Sequence, residues 1–167
     1  MRYSGIIDND TVDCDDGLSV GVFFQGCKFH CKNCQNKHTW DLNGGIEIDV
    51  YDFSKMVIEK INKNGVMRNL SILGGEPLIE ENMESVKILI NEVKKIYPTI
   101  KIYLWSGYTL QQLKKRKNKT VDWILKNIDY LIDGLYVDEL RDITLKLRGS
   151  SNQHIYENKN GKMILTE

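Results

Sequence analysis

The period of the apolar positions changes several times along the chain, and each change marks an element. Residues 18–25 (LSVGVFFQ) form a β-rich run that stops at Gly26. Asp49 stands where a helix cap belongs, Phe53, Met56, Val57 and Ile61 follow at helical spacing, and Gly65 closes the segment. Residues 69–73 read as a short apolar strand running into Gly74-Gly75-Glu76-Pro77, and Pro77 is suited to begin a helix. Val86, Leu89, Ile90, Val93 and Ile96 then recur at helical spacing until Pro98. Residues 100–105 predict another strand ending at Ser106-Gly107, and Thr109 with Gln112 has the spacing of a capping box. Thr120 is the expected cap of a short helix through Trp123 and Leu125. A strand over 130–137, broken at Gly134, and a hairpin of 153–157 with 162–166 around Asn160-Gly161 complete the pattern.

Strands alternating with amphipathic helices predict an α/β fold with right-handed crossovers and a mostly parallel open sheet. Four or five such strands are too few to close an eight-stranded barrel. No internal repeat, low-complexity stretch or linker interrupts the 167 residues, so a single domain over 1–167 is expected. Crossover loops converge at the carboxyl ends of parallel strands. Cys27, Gly74 and Ser106 all fall at such ends, so three separate features point to one site.

Charge narrows the function classes. Lys and Arg number 23 and so do Asp and Glu, so no overall field favours a polyanion. The run Lys114, Lys115, Arg116, Lys117 and Lys119 reads as the solvated basic end of a helix rather than a nucleic-acid surface. No stretch resembles a signal peptide or a membrane span, so a soluble, cytoplasmic protein with no membrane or nucleic-acid partner is expected.

Three of the four cysteines crowd into Cys27-x3-Cys31-x2-Cys34, and a reducing compartment disfavours disulfides there. Three thiolates from one short loop match three corners of an iron–sulfur cubane and leave the fourth iron open. A Cys3His zinc site using His38 also fits the spacing, and would make the chain a non-enzymatic binding module. His30, between Phe29 and Cys31, reads as a loop histidine. Cys14, thirteen residues upstream of Cys27, reads as a simple thiol, and Trp40, Trp105 and Trp123 as core or site-wall aromatics.

The cysteine spacing resembles that of the radical S-adenosylmethionine enzymes, and the likeness runs further. Phe23-Phe24-Gln25-Gly26-Cys27, Asn36-Lys37-His38-Thr39-Trp40, Gly74-Gly75-Glu76-Pro77, Trp105-Ser106-Gly107-Tyr108 and Leu147-Arg148-Gly149-Ser150-Ser151-Asn152-Gln153 are similar to stretches of the activating proteins of anaerobic ribonucleoside-triphosphate reductases. The pyruvate formate-lyase activases, whose chemistry is alike but which are longer, are the nearest rival, and would change the target to pyruvate formate-lyase or another glycyl-radical enzyme.

The resemblance implies a partial (β/α) barrel of the radical S-adenosylmethionine type. It implies a 4Fe-4S cluster on Cys27, Cys31 and Cys34, with one iron open to S-adenosylmethionine. It also implies that Asn33, Cys34 and Gln35 hold the adenine, that Gly74, Gly75 and Glu76 meet the methionine amino group, and that Ser106 meets the ribose or carboxylate. The implied partners are the large reductase subunit, as the protein receiving a glycyl radical, and a reduced flavodoxin or ferredoxin-like donor. Two departures stand out. Cys14-Asp15-Asp16-Gly17 replaces the family's usual Asn-Gly-Pro-Gly, and Asn33 and Gln35 flank Cys34 where Gly and an aromatic are usual. Individual roles within residues 148–153 do not follow from the motif.

Overall fold

The computed structural model describes all 167 residues, Met1–Glu167. Eight strands form one continuous sheet: β1 (Arg2–Asp10), β2 (Ser19–Phe24), β3 (Ile46–Glu47), β4 (Asn69–Gly74), β5 (Ile102–Ser106), β6 (Tyr130–Asp133), β7 (His154–Lys159) and β8 (Lys162–Leu165). Their order is β3-β1-β2-β4-β5-β6-β7-β8. The neighbours β2, β4, β5 and β6 run parallel, as the alternating pattern requires. Both flanks are antiparallel, so the sheet as a whole is mixed rather than mostly parallel. Among the flanking pairs, β1–β2 and β7–β8 are direct returns of the chain, which need no crossover helix.

Four helices connect or follow the parallel strands: α1 (Val50–Ile61), α2 (Met83–Ile96), α3 (Leu110–Lys115) and α4 (Lys119–Asn127). Asp49 caps α1 as expected, its carboxylate accepting from Tyr51 N at 2.8 Å and Asp52 N at 3.2 Å. Thr109 and Gln112 form the expected capping box on α3. Two helix starts differ from expectation. Asn118 caps α4, because Thr120 already lies inside the helix and gives its hydroxyl to Glu84. Pro77 does not begin α2, which starts six residues later at Met83; residues 77–82 form turns instead.

One face of the sheet meets the helices. Val20, Val22, Phe24, Leu70, Ile72, Ile102, Leu104 and Leu131 pack there against Phe53 and Val57 of α1, Leu89 and Ile90 of α2 and Ile124 of α4, all buried. Strand alternation sends their neighbours to the other face, where Tyr103 and Ile132 pack with Cys14 and Ile155 in a smaller cluster bordered by Trp105, Tyr130 and Leu147. That face is covered by the 11–18 connection and the 134–153 segment rather than by helices.

Candidate functional site

At the carboxyl ends of β2, β4, β5 and β6 lies an open cleft of about 170 Å³. Its wall contains Cys27, Cys31 and Cys34, with Gly74, Gly75, Glu76 and Ser106 opposite. Segments far apart in sequence thus meet where the strand-end argument placed them. None of the three thiols is in a disulfide; Cys27 is buried, and Cys31 and Cys34 are half-buried.

The cysteine loop is fixed at its root by backbone hydrogen bonds. Gly26 N donates to Thr39 O at 2.7 Å, Cys27 N to Trp40 O at 3.1 Å, and Glu76 N to Gly26 O at 2.8 Å. Gln25, an unassigned part of the motif, secures the returning limb by donating from Nε2 to His38 O and Asp41 O. The paired glycines have a packing reason that the sequence did not show. A Cβ on Gly75 would sit 2.2 Å from Gly26 O, and one on Gly74, whose φ is +122°, would sit 2.3 Å from Phe24 N. Their close approach is therefore to the neighbouring strand end. Gly107 makes room in the same way for the Phe29 ring, which also packs edge-on against Tyr108 with ring centres 4.7 Å apart.

Glu76 joins two of the loops. Its Oε1 accepts from Leu78 N and Ser106 Oγ, both at 2.9 Å, and its Oε2 from Gly107 N at 2.6 Å. Burial raises its pKa to about 7 against the pull of these donors. The Ser106 hydroxyl in turn accepts from Tyr108 N, so both side chains are committed to each other at the cleft wall.

The loop geometry also accounts for Asn33. His30 and Asn33 both have left-handed backbone, with φ of 52° and 55°. Asn is the commonest non-glycine residue there, so it can stand where glycine is usual. Its side chain donates to Asp138 Oδ2 at 2.8 Å. Asn33 is exposed and Gln35 borders a second cleft of about 440 Å³, which shares Cys34, Asn36, Leu73, Trp105, Tyr136 and Gln153 with the first.

The donor set suits thiolate ligands. Nearby backbone N–H groups favour the thiolate forms of Cys27 and Cys31, and Asn36 N donates to Cys34 Sγ at 3.4 Å. Burial nevertheless holds the Cys27 and Cys31 thiols above their ordinary pKa, so taking up a metal centre must expel their protons. No three Cys, His, Asp or Glu side chains converge as a single-ion cage requires. His38 is exposed on a 3-10 turn, Lys37–Thr39. A cubane spreads its thiolates over three irons and asks for a wider set.

Outside this group, His30 packs in a tilted arrangement against Trp40, a residue of the cleft wall, with ring centres 4.6 Å apart. Trp105 lines both clefts and donates from Nε1 to Leu147 O, whereas Trp123 packs at the margin of the main core. In the basic run, Arg116 turns inward, donating to Leu78 O at 2.6 Å and covering the Tyr108 ring. No helix is long and apolar enough to cross a membrane.

Residues 15–156 match the family model described as a 4Fe-4S single cluster domain, which makes the chain an iron–sulfur protein on an α/β fold. Relatives span nearly the whole chain. The anaerobic ribonucleoside-triphosphate reductase-activating protein of Vibrio cholerae is 34% identical over 156 residues, covering 93% of this chain and 97% of its own. That of phage T4 is 33% identical over 162 residues, with 96% and 97% covered, and that of Escherichia coli is 32% identical over 161 residues, with 93% and 98% covered. The chain belongs to the anaerobic ribonucleoside-triphosphate reductase-activating protein family.

Proposed function

We propose that this protein activates an anaerobic ribonucleoside-triphosphate reductase by radical chemistry, with a 4Fe-4S cluster on Cys27, Cys31 and Cys34. The observation that carries the reading is the gathering of these three unpaired thiols in one cleft against Gly74, Gly75, Glu76 and Ser106. When bound and reduced by a flavodoxin or ferredoxin-like donor, the cluster supplies the electron that splits S-adenosylmethionine into methionine and a 5′-deoxyadenosyl radical, which takes a hydrogen atom from a glycine of the reductase.

The chain's own residues place and enclose the reactants. The three cysteines, as thiolates, would hold the cluster at the cleft wall and leave it accessible to the methionine end of S-adenosylmethionine. Gly74 and Gly75 contribute unhindered backbone to the wall that meets the amino group. Because the Glu76 and Ser106 side chains hold one another, they shape that wall and keep the β4 and β5 loops in register. The backbone from Asn33 to Gln35 takes the adenine. The adjoining 440 Å³ cleft, bordered by Trp105, Ile143, Arg141 and Arg148, leaves room for a segment of the reductase beside the cofactor. We read the parallel centre of the sheet as part of a partial (β/α) barrel, in a protein of the reducing cytoplasm, as the resemblance implies.

The test is anaerobic reconstitution with iron and sulfide, reduction in the presence of S-adenosylmethionine, and assay for 5′-deoxyadenosine. The reading expects product from the wild type and none from Cys31→Ser. A colourless protein that retains one zinc and forms no product would overturn it.

A further inference from the structure

The motif at residues 148–153 lies next to the chain leaving β6, and the contacts between them form a relay. Gln153 donates from Nε2 to Gly134 O at 2.9 Å and accepts at Oε1 from Gly149 N at 2.9 Å and Ser150 N at 3.2 Å. Asn152 donates to Leu135 O at 2.8 Å, and Val137 N donates to Ser150 Oγ at 3.2 Å. Three of the four residues from Gly134 to Val137 are therefore held by this motif. The same segment then grips the cysteine loop from above. Asp138 accepts from Asn33 and from the Tyr136 hydroxyl, and Glu139 pairs with Lys32 at 2.6 Å.

We propose that Asp138 is a positioning residue for the cluster loop, holding Asn33 so that Cys31 and Cys34 keep their place in the cleft, with residues 148–153 as its foundation. The inference rests on reading that cleft as the cluster site. Asp138 touches neither cofactor nor reacting atoms; it acts through Asn33. The ionised Asp138 carboxylate makes a stronger acceptor for the Asn33 amide than a neutral group would. The Asn33–Asp138 hydrogen bond and the Lys32–Glu139 pair both lie at the exposed surface, so each is weak alone and the hold depends on their acting together. Cys27 is independent of this grip, because its own N–H bonds to Trp40 O.

That independence supplies the internal control. The metal-free full-length protein is pulsed with iodoacetamide and each cysteine is followed by peptide mass spectrometry. Asp138→Ala is expected to speed alkylation of Cys31 and Cys34 about two- to threefold, the effect of losing one solvent-exposed hydrogen bond to a charged group, with Cys27 and Cys14 unchanged. Asn33→Gly, which retains the left-handed backbone, is expected to do the same, and the double variant to add little. Asp138→Asn, which still offers an acceptor, should restore part of the protection. Unchanged rates in both single variants would overturn the proposal. So would a uniform rise that includes Cys27 and Cys14, since that reports general unfolding. After reconstitution, Asp138→Ala should lose iron to a chelator faster and show a higher KM for S-adenosylmethionine with a smaller change in kcat. If the wild type takes up no cluster while the alkylation contrast persists, the functional reading fails and the positioning role stands.

Discussion

At Glu76 two opposing effects set the charge of one carboxyl group. Three donors favour the carboxylate, complete burial favours the acid, and the balance brings its pKa from 4.5 to about 7. Asp13 is also raised to about 7, by burial and by the neighbouring Asp10. Because the folded state holds these protons more tightly than the unfolded chain, their contribution to stability is full below pH 4 and is lost as pH rises toward 7. The surface carboxylates with lowered values, such as Asp8 and Glu92, lose their contribution only at lower pH. Urea denaturation of the metal-free protein should therefore show higher stability at pH 5 than at pH 8, with Glu76 responsible for at most about 1.4 kcal/mol per pH unit within the window. Glu76→Gln should reduce that slope.

Gly75 makes a sharper demand. Alanine would place a methyl carbon 2.2 Å from Gly26 O, where two backbone segments, not a flexible side chain, would have to separate. Gly75→Ala should cost about 2–3 kcal/mol in denaturant unfolding and release the root of the cysteine loop. The sequence marked this glycine for a ligand; the backbone it approaches belongs to a strand end that only tertiary structure identifies. Asn33 shows the same limit. It reads as a departure from the glycine usual there, and its left-handed φ and its partner 105 positions away emerge only in three dimensions.

Among the elements, those specified by neighbouring residues were legible. The Asp49 cap, the Thr109–Gln112 box and the turn at Asn160-Gly161 each depend on contacts within a few positions, and all three are present. Asp49→Ala should cost about 1 kcal/mol, measurable by chemical denaturation. The start of α2 was not legible. Glu76 takes Leu78 N and Arg116 takes Leu78 O, so the backbone beyond Pro77 is drawn into the site loops before the helix begins. β1 escaped notice because its burial does not alternate strictly and two register shifts interrupt its pairing with β2. The expected strand over 130–137 ends at Asp133, since the positive φ of Gly134 turns the chain toward the cleft.

For the whole molecule, the alternation of strands and helices was enough to read the parallel centre of the sheet. The antiparallel flanks depend on pairings between the chain's first and last segments and their neighbours, which periodicity does not specify. The main core contains none of the four cysteines, so the fold does not hang on the metal centre. Stripping iron with a chelator should leave far-ultraviolet circular dichroism and cooperative unfolding essentially intact while the cysteine loop alone gains mobility. Loss of the far-ultraviolet signal on chelation would mean that the cluster organises the domain, as structural zinc does in small modules.

The grip on the cysteine loop also has a consequence for biosynthesis. Cys27 to Cys34 leave the ribosome well before the β4 loop that anchors their root and about a hundred residues before Asp138 and Glu139, whose contacts with the loop span 105 and 107 positions. Through most of translation these thiols have no fixed spacing, and cluster insertion into the finished geometry must follow chain release. Oxygen exposure during that interval acts on the nascent polypeptide's free thiols themselves, before the finished cleft has fixed their positions.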